Sequence, residues 1–377
     1  MSASTHQAAP ARVLLHAFST FKLGGPQARF VELAHALGSS YRHLVLAMDN
    51  CFDAGERLGA SVDWQPLRLH VTKGGALDNQ QQFRAVLKSV RPDLLLSYNW
   101  GAIEWAAANF PKLLPQVHVE DGFGPDEAGR QLPRRVLTRH ILLGFNRVPV
   151  VVASRHLERI ACQHWRLRAD QVHFLANGVA LAPSERETTR PAGAETVVCI
   201  GTVAGLRPEK NLARLLRAFA QLRAHQAARL IVVGGGPLLG ELQALAQELG
   251  VAAEVEFTGY LPDPAQRLAE FDLFALSSDT EQLPLALLEA MAIGLPVVAT
   301  RVGDVGSMLA DVSPENVAAP DDESFARTLI AAVQQRARWP YWSHAGREKV
   351  RRSYSRAQML TEWKAVFDGH LGRGAHD

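Results

Sequence analysis

The run Leu273-Phe274-Ala275-Leu276-Ser277-Ser278-Asp279-Thr280-Glu281-Gln282-Leu283-Pro284-Leu285-Ala286-Leu287-Leu288-Glu289-Ala290-Met291-Ala292-Ile293-Gly294-Leu295-Pro296-Val297-Val298-Ala299 decides the fold. Its first four residues are apolar without polar alternation, the pattern of a strand covered by helices on both faces. Pro284 suits the first turn of a helix and Gly294 its end. Pro296 to Ala299 is then a second covered strand, so the unit is strand, loop, helix, strand in a parallel sheet.

The alternation extends in both directions. Candidate strands stand at Val197–Ile200, Leu230–Val233 and Val255–Phe257, and Leu212, Leu215, Leu216, Phe219 and Leu222 place one apolar stripe on a helix. Upstream, Val13–Leu15, Leu44–Ala47, Leu94–Leu96, Val117–Val119 and Val150–Val152 repeat the pattern. Between the halves, Leu181 to Glu195 is rich in Pro, Ser, Thr and charge and reads as a linker. The chain of 377 residues exceeds what one hydrophobic core usually serves. The expectation is an α/β protein of two doubly wound parallel-sheet domains, residues 1–185 and 186–350. A helical tail, 351–377, is expected to pack back on the first domain.

Composition excludes several classes. At 47% hydrophobic and 21% charged, the chain is neither disordered, collagen-like nor a disulfide scaffold. Its net charge of +2 is too small for a nucleic-acid binder held by phosphate contacts. Cys51, Cys162 and Cys199 are widely spaced and form no CxxC pair, which suggests neither disulfides nor zinc and fits a reducing cytoplasm. Met1 to Arg12 lacks the apolar core of a signal peptide, and no run approaches the roughly 18 apolar residues of a membrane span.

Two carboxylates in the opening run carry chemistry. Glu281 falls in the loop after a strand, at the carboxyl edge of the sheet, where ligands of open α/β folds bind. Glu289 has Leu285, Ala286, Ala292 and Ile293 as same-face neighbours, so its carboxylate needs a partner: ligand hydroxyls, or an Arg or Lys from elsewhere. Arg207 and Lys210 follow another strand, and a forked guanidinium beside a mobile ammonium suits a diphosphate whose negative charge grows as a group departs. Gly234-Gly235-Gly236 is a tight turn and not a dinucleotide fingerprint, because Leu239 takes the place of the third glycine.

These segments together resemble the retaining glycosyltransferases of family 4. Glu281 and Glu289 match its E-x7-E segment, and Gly201-Thr202-Val203 with Arg207-Pro208-Glu209-Lys210-Asn211 its phosphate-binding loop. Ile231 to Pro237, Phe257-Thr258-Gly259-Tyr260-Leu261 and Gly294 to Thr300 with Gly303-Asp304-Val305-Gly306 continue the likeness in order. Gln282-Leu283 stands where the family often has Gly-Phe, and Asp311 to Asn316 replaces its later Asp-Gly turn.

The resemblance implies the GT-B fold of two facing Rossmann-like domains. It also implies transfer of a sugar from a nucleotide diphosphate donor, UDP slightly favoured over GDP, to a saccharide or lipid-linked saccharide, with retention and without metal or other cofactor. Arg207, Lys210, Tyr260, Glu281, Leu285 and Glu289 would be donor-binding residues, the Leu285 amide at a helix start facing phosphate. Glu289 would take the ribose, and Glu281 the donor sugar. Gly24-Gly25-Pro26 resembles the family's Gly-Gly loop, whose backbone lies close to the donor. His118, placed at a strand end, would lie near the reacting sugar as a catalytic residue with Glu281; Glu120 and Asp121 are acceptor-side candidates. A nucleotide-sugar epimerase of the same fold and an inactive nucleotide-sugar-binding protein are the rival readings.

One segment points to a surface. From Arg130 to Arg168 there are nine Arg against one acid, Glu158, with Leu132, Val136, Leu137, Leu143 and Phe145 interleaved. Such a basic amphipathic stretch can lie on anionic lipid, and is equally an ordinary helix with a solvated face. The expected location is the cytoplasm, with attachment to the inner face of the plasma membrane through this stretch.

Overall fold

The computed structural model describes residues 11–72, 76–127, 130–181 and 197–371. The expected N-terminal segment up to residue 10, most of the linker and the 185/186 boundary lie outside the described residues. The chain divides into two units, the first made of residues 1–175 with 360–377 and the second of 176–359, against the expected divisions at 185/186 and 350/351.

The first unit holds β1 (Arg12–Phe18), α1 (Gly25–Leu37), β2 (Tyr41–Ala47), β3 (Trp64–Leu67), α2 (Ala76–Val90), β4 (Leu94–Tyr98) and α3 (Ile103–Ala108). It continues with β5 (Gln116–Glu120), α4 (Pro133–Arg139), β6 (Val150–Val152), α5 (Arg155–Gln163) and β7 (Val172–Phe174). All strand pairs are parallel, in the order β3-β2-β1-β4-β5-β6-β7. Central strands β4 and β5 are buried throughout, the polar Ser97, Gln116, His118 and Glu120 included.

The second unit holds β8 (Val198–Val203), α6 (Leu212–Arg223), β9 (Ala228–Val233), α7 (Leu239–Glu248), β10 (Val255–Gly259), α8 (Ala265–Leu268) and β11 (Leu273–Leu276). Then come α9 (Leu285–Ala292), β12 (Val297–Thr300), α10 (Val305–Leu309), β13 (Val317–Ala318), α11 (Asp322–Gln334) and α12 (Trp339–Ser353). Its parallel sheet runs β10-β9-β8-β11-β12-β13. The stripe Leu212, Leu215, Leu216, Phe219 and Leu222 is buried against it, and Gly294, at φ +80°, closes α9 in the left-handed conformation open to glycine. The helical tail is two helices, since α12 stops before Tyr354 and α13 (Arg356–Leu371) follows. Residues of α13 from Leu360 onward belong to the first unit.

In each sheet the strand order reverses direction once, between β1 and β4 and between β8 and β11. The loops that leave the carboxyl ends of such a strand pair diverge to opposite faces and open a crevice, where ligands of this architecture bind.

Candidate functional site

The loops after β8 and β11 leave the two strands that flank the second unit's reversal, and between them they carry Arg207, Lys210 and Glu281. Lys210 Nζ lies 2.6 Å from Glu281 Oε1, and Ser278 Oγ donates to that same oxygen at 2.8 Å. The loops are stitched along their length. Asp279 N–H donates to the Glu209 carbonyl at 2.9 Å, and Ser277 Oγ donates to the Lys210 carbonyl at 3.1 Å. Arg207 shares the first loop, its exposed Nε 3.2 Å from Glu209 Oε1.

Behind this pair stands Arg214, almost fully buried on α6. It donates to the Ser277 carbonyl at 2.8 Å and the Pro320 carbonyl at 2.7 Å, and it pairs with Asp279 at 2.7 Å and Asp322 at 3.3 Å. Asn211, in the left-handed conformation, caps α6 by accepting from Arg214 N–H and donates to Asp279 at 3.0 Å. None of Ser278, Asn211 or Arg214 was expected from sequence as part of the site. The one legible sign was a cation at 214 within the apolar stripe of α6.

Two glycines are required by close approach. At Gly303, φ +52°, a Cβ would stand 2.2 Å from the Glu281 carbonyl oxygen; at Gly234, φ +146°, one would stand 1.9 Å from the Ala204 carbonyl oxygen. Both pack backbone against a site loop, so any side chain would push that loop away.

Leu285 is the first residue of α9, with Pro284 as its cap, so the opening amides of the helix lack intrahelical acceptors and favour an anion. One turn on, half-buried Glu289 has no hydrogen bond to its carboxylate among the described residues. Burial, and then the Asp263 carboxylate, push its pKa up. Tyr260, just past β10, is exposed. Gly24 and Gly25, in the first unit, open α1, and their exposed backbone precedes its free amides.

The first unit's other candidates differ. His118 is the third residue of β5 and fully buried, not exposed at the strand end: Ser97 Oγ is 2.9 Å from its Nδ1, and Glu120 Oε2 is 3.6 Å from Nε2. Glu120 is fully buried too, 3.4 Å from Arg139 Nε. Asp121 forms a forked ion pair with Arg29, one arm at 2.8 Å, and its N–H donates to Asn99 Oδ1 at 2.7 Å. The cause is the arrival of Arg139 and Arg29, two cations whose approach strand periodicity does not reveal. Among the described residues, no three His, Cys, Asp or Glu converge as a ligand set.

The model of the family glycosyl transferases group 1 matches residues 185–349. That span is similar to a group 1 glycosyltransferase domain. A lipopolysaccharide core biosynthesis glycosyltransferase, LpsE of Rhizobium meliloti, is 30% identical over 218 residues, 57% of this chain and 60% of LpsE. A GDP-mannose-dependent alpha-(1-6)-phosphatidylinositol monomannoside mannosyltransferase of Mycolicibacterium smegmatis is 40% identical over 126 residues, 30% of this chain and 32% of that protein. The chain spans between 28% and 60% of the length of the first curated relatives it matches. Among solved structures, Anabaena HepE in complex with UDP and glucose superposes over 95% of this chain and 100% of its own with a TM-score of 0.79, at 18% identity. The fold is therefore GT-B. Arg207, Lys210, Glu281, Leu285 and Glu289 all lie inside the span that the family's model matches.

Proposed function

We propose that the chain transfers a sugar from a nucleoside diphosphate sugar to a hydroxyl of a saccharide or lipid-linked saccharide, with retention and without a metal ion, in the synthesis of a cell-surface polysaccharide or glycolipid. The observation that carries it is the Lys210–Glu281 pair, 2.6 Å apart on the two loops that flank the strand reversal, beside the opening amides of α9. In the reaction the bond from the anomeric carbon to the phosphate oxygen breaks and one to the acceptor oxygen forms on the same face. The acceptor's proton passes to the departing phosphate. Charge grows on that phosphate, and Lys210, Arg207 and the amides at Leu285 meet it without reorganising. Lys210 also orients Glu281, which contacts the sugar, while the unpartnered Glu289 takes the ribose hydroxyls. Tyr260 completes the donor contacts within the second unit. His118, Glu120 and Asp121 are enclosed or already paired, so the proposal gives them no substrate contact.

UDP is placed ahead of GDP as the donor nucleotide. The names of LpsE and the phosphatidylinositol mannoside enzyme favour a lipid-linked acceptor. Work at the inner, anionic face of a membrane is part of the reading: Leu137, Ile141 and Phe145 recur every fourth residue and are exposed beside exposed Arg134. No described helix is long and apolar enough to cross a membrane.

Incubating the purified chain with UDP-, GDP- and ADP-sugars, with and without a membrane lipid extract, tests the proposal. Nucleotide release that depends on acceptor is expected. An epimerised sugar without acceptor, or donor binding without turnover, overturns it.

A further inference from the structure

The surface formed by α4 and the turn after α5 is built to hold more than a diffuse charge. Four of the nine arginines between 130 and 168 are held by carboxylates: Arg135 and Arg139 by Glu127, Arg155 by Glu158 and Arg168 by Asp170. Arg130 and Arg166 are exposed and have no ion-pair partner among the described residues. They line a groove of about 670 Å³ together with Leu137, His140, His164 and Trp165.

The groove is preformed. Its wall, Trp165, is fully buried, donates from Nε1 to Gln131 Oε1 at 2.8 Å and lies 4.6 Å from the buried Arg139 guanidinium. His140 Nδ1 stands 2.9 Å from the Trp165 carbonyl oxygen, so Nδ1 is the donor and Nε2 is left as an acceptor. Arg166, at φ +56°, occupies a backbone conformation uncommon outside glycine, and the Leu167 N–H bond to the Ala161 carbonyl at 3.0 Å holds the turn.

An apolar stripe adjoins the cations. α4 runs on into a π-helical turn, His140–Phe145, and along this continuous segment Leu137, Ile141 and Phe145 are 58%, 39% and 70% exposed. Leu137 belongs to both stripe and groove. A soluble phosphate would satisfy Arg130 and Arg166 but leave this stripe in water, whereas a phospholipid satisfies both.

We propose that the groove seats the headgroup of an anionic phospholipid, the phosphate between Arg130 and Arg166 and a headgroup hydroxyl on His140 Nε2, while Leu137, Ile141 and Phe145 enter the acyl layer. This rests on the membrane reading above. Phosphatidylglycerol, a phosphodiester with free hydroxyls, is the fitting probe.

The test is flotation of the full chain with phosphatidylcholine vesicles, with and without phosphatidylglycerol. The expected result is preference for phosphatidylglycerol, an affinity loss of about thirtyfold in R130A/R166A, and a clearly smaller loss in R147A/R159A, which removes equal charge outside the groove. L137S/F145S is expected to lose both kinds of vesicle. If the wild type binds no vesicle, the membrane reading itself falls. If it binds phosphatidylglycerol vesicles but the two arginine double variants lose equally or not at all, the groove is refuted while the membrane reading stands. Tight binding of soluble glycerol 3-phosphate with unaltered vesicle binding by R130A/R166A overturns the proposal in favour of a metabolite site.

Discussion

In the second unit Lys210 and Glu281 pair at 2.6 Å on loops that solvent still reaches, whereas in the first Arg139, Glu120 and Glu127 meet with none of the three exposed to water. Both clusters sit beside the ends of parallel strands and set a cation against glutamate. Their surroundings differ. Around Arg139 the rings of Trp100, Phe123 and Trp165 stand 5.0, 5.5 and 4.6 Å from the guanidinium, and Arg139 donates to Glu127 at 3.2 and 3.3 Å. Burial acts to raise the Glu127 pKa, and hydrogen bonds from Arg139 and Arg135 overcome it and hold the carboxyl below the usual range. A closed set of this kind specifies structure, because every charge depends on another protein charge. Under the proposed function, Lys210 and Glu281 instead exchange one another for the donor.

That contrast breaks most visibly at Arg139. Arg139→Ala leaves Glu120 buried without its cation and Glu127 with Arg135 alone, and is expected to cost about 3 to 5 kcal/mol in urea unfolding. A loss below about 1 kcal/mol would mean that water already reaches the cluster. The converse experiment joins Arg207→Ala to Lys210→Ala. Turnover should fall by about two to three orders of magnitude, with unfolding changed by no more than about 1 kcal/mol, as befits an exposed or half-exposed pair. Unchanged turnover would remove the charge-stabilising role.

A third measurement sharpens the first unit's side of the comparison through pH. Burial lowers the His43 pKa to about 4, with Asp63 opposing, and burial and then His43 lower that of His16 well below its ordinary value. The folded state therefore binds fewer protons than the unfolded one between about pH 6.5 and pH 4. Stability should decline as pH falls through that window, His43 contributing about 3 kcal/mol. His43→Phe, which cannot take the proton, should flatten the slope; an unaltered slope would assign it to other groups.

The smallest effect is expected at Glu289. Because burial raises its pKa, stability is lost as pH rises above the ordinary carboxyl value of 4.5. Glu289→Gln should raise stability at neutral pH by less than about 1 kcal/mol, lose that gain below pH 4.5, and weaken donor binding measured by calorimetry. A destabilised variant would mark Glu289 as part of the structural scaffold.

Legibility followed burial. Central strands such as β4 and β11 are covered on both faces and were legible through the apolar runs Leu94–Leu96 and Leu273–Leu276. Edge strands β3, β7 and β13 escaped notice, since Trp64-Gln65-Pro66-Leu67 is partly exposed and contains a proline, and β13 is two residues long. Asp321 caps α11 by accepting from Ser324 N–H at 2.7 Å, a contact legible in sequence because capping is decided within one turn. The contacts that tie Asn211 and Arg214 to the Glu281 loop were illegible for the opposite reason: they join segments more than 60 residues apart.

By itself the sequence determined the periodicity of strands and helices, the glycine and proline punctuation and the order of residue types in the loops after β8 and β11. These are local properties, set by backbone sterics and by which faces must leave water. Only the tertiary structure decided which charged side chains are closed off and which stay available. That depends on what packs against each group from distant segments: Arg139 on Glu120, Arg29 on Asp121 and Lys210 on Glu281.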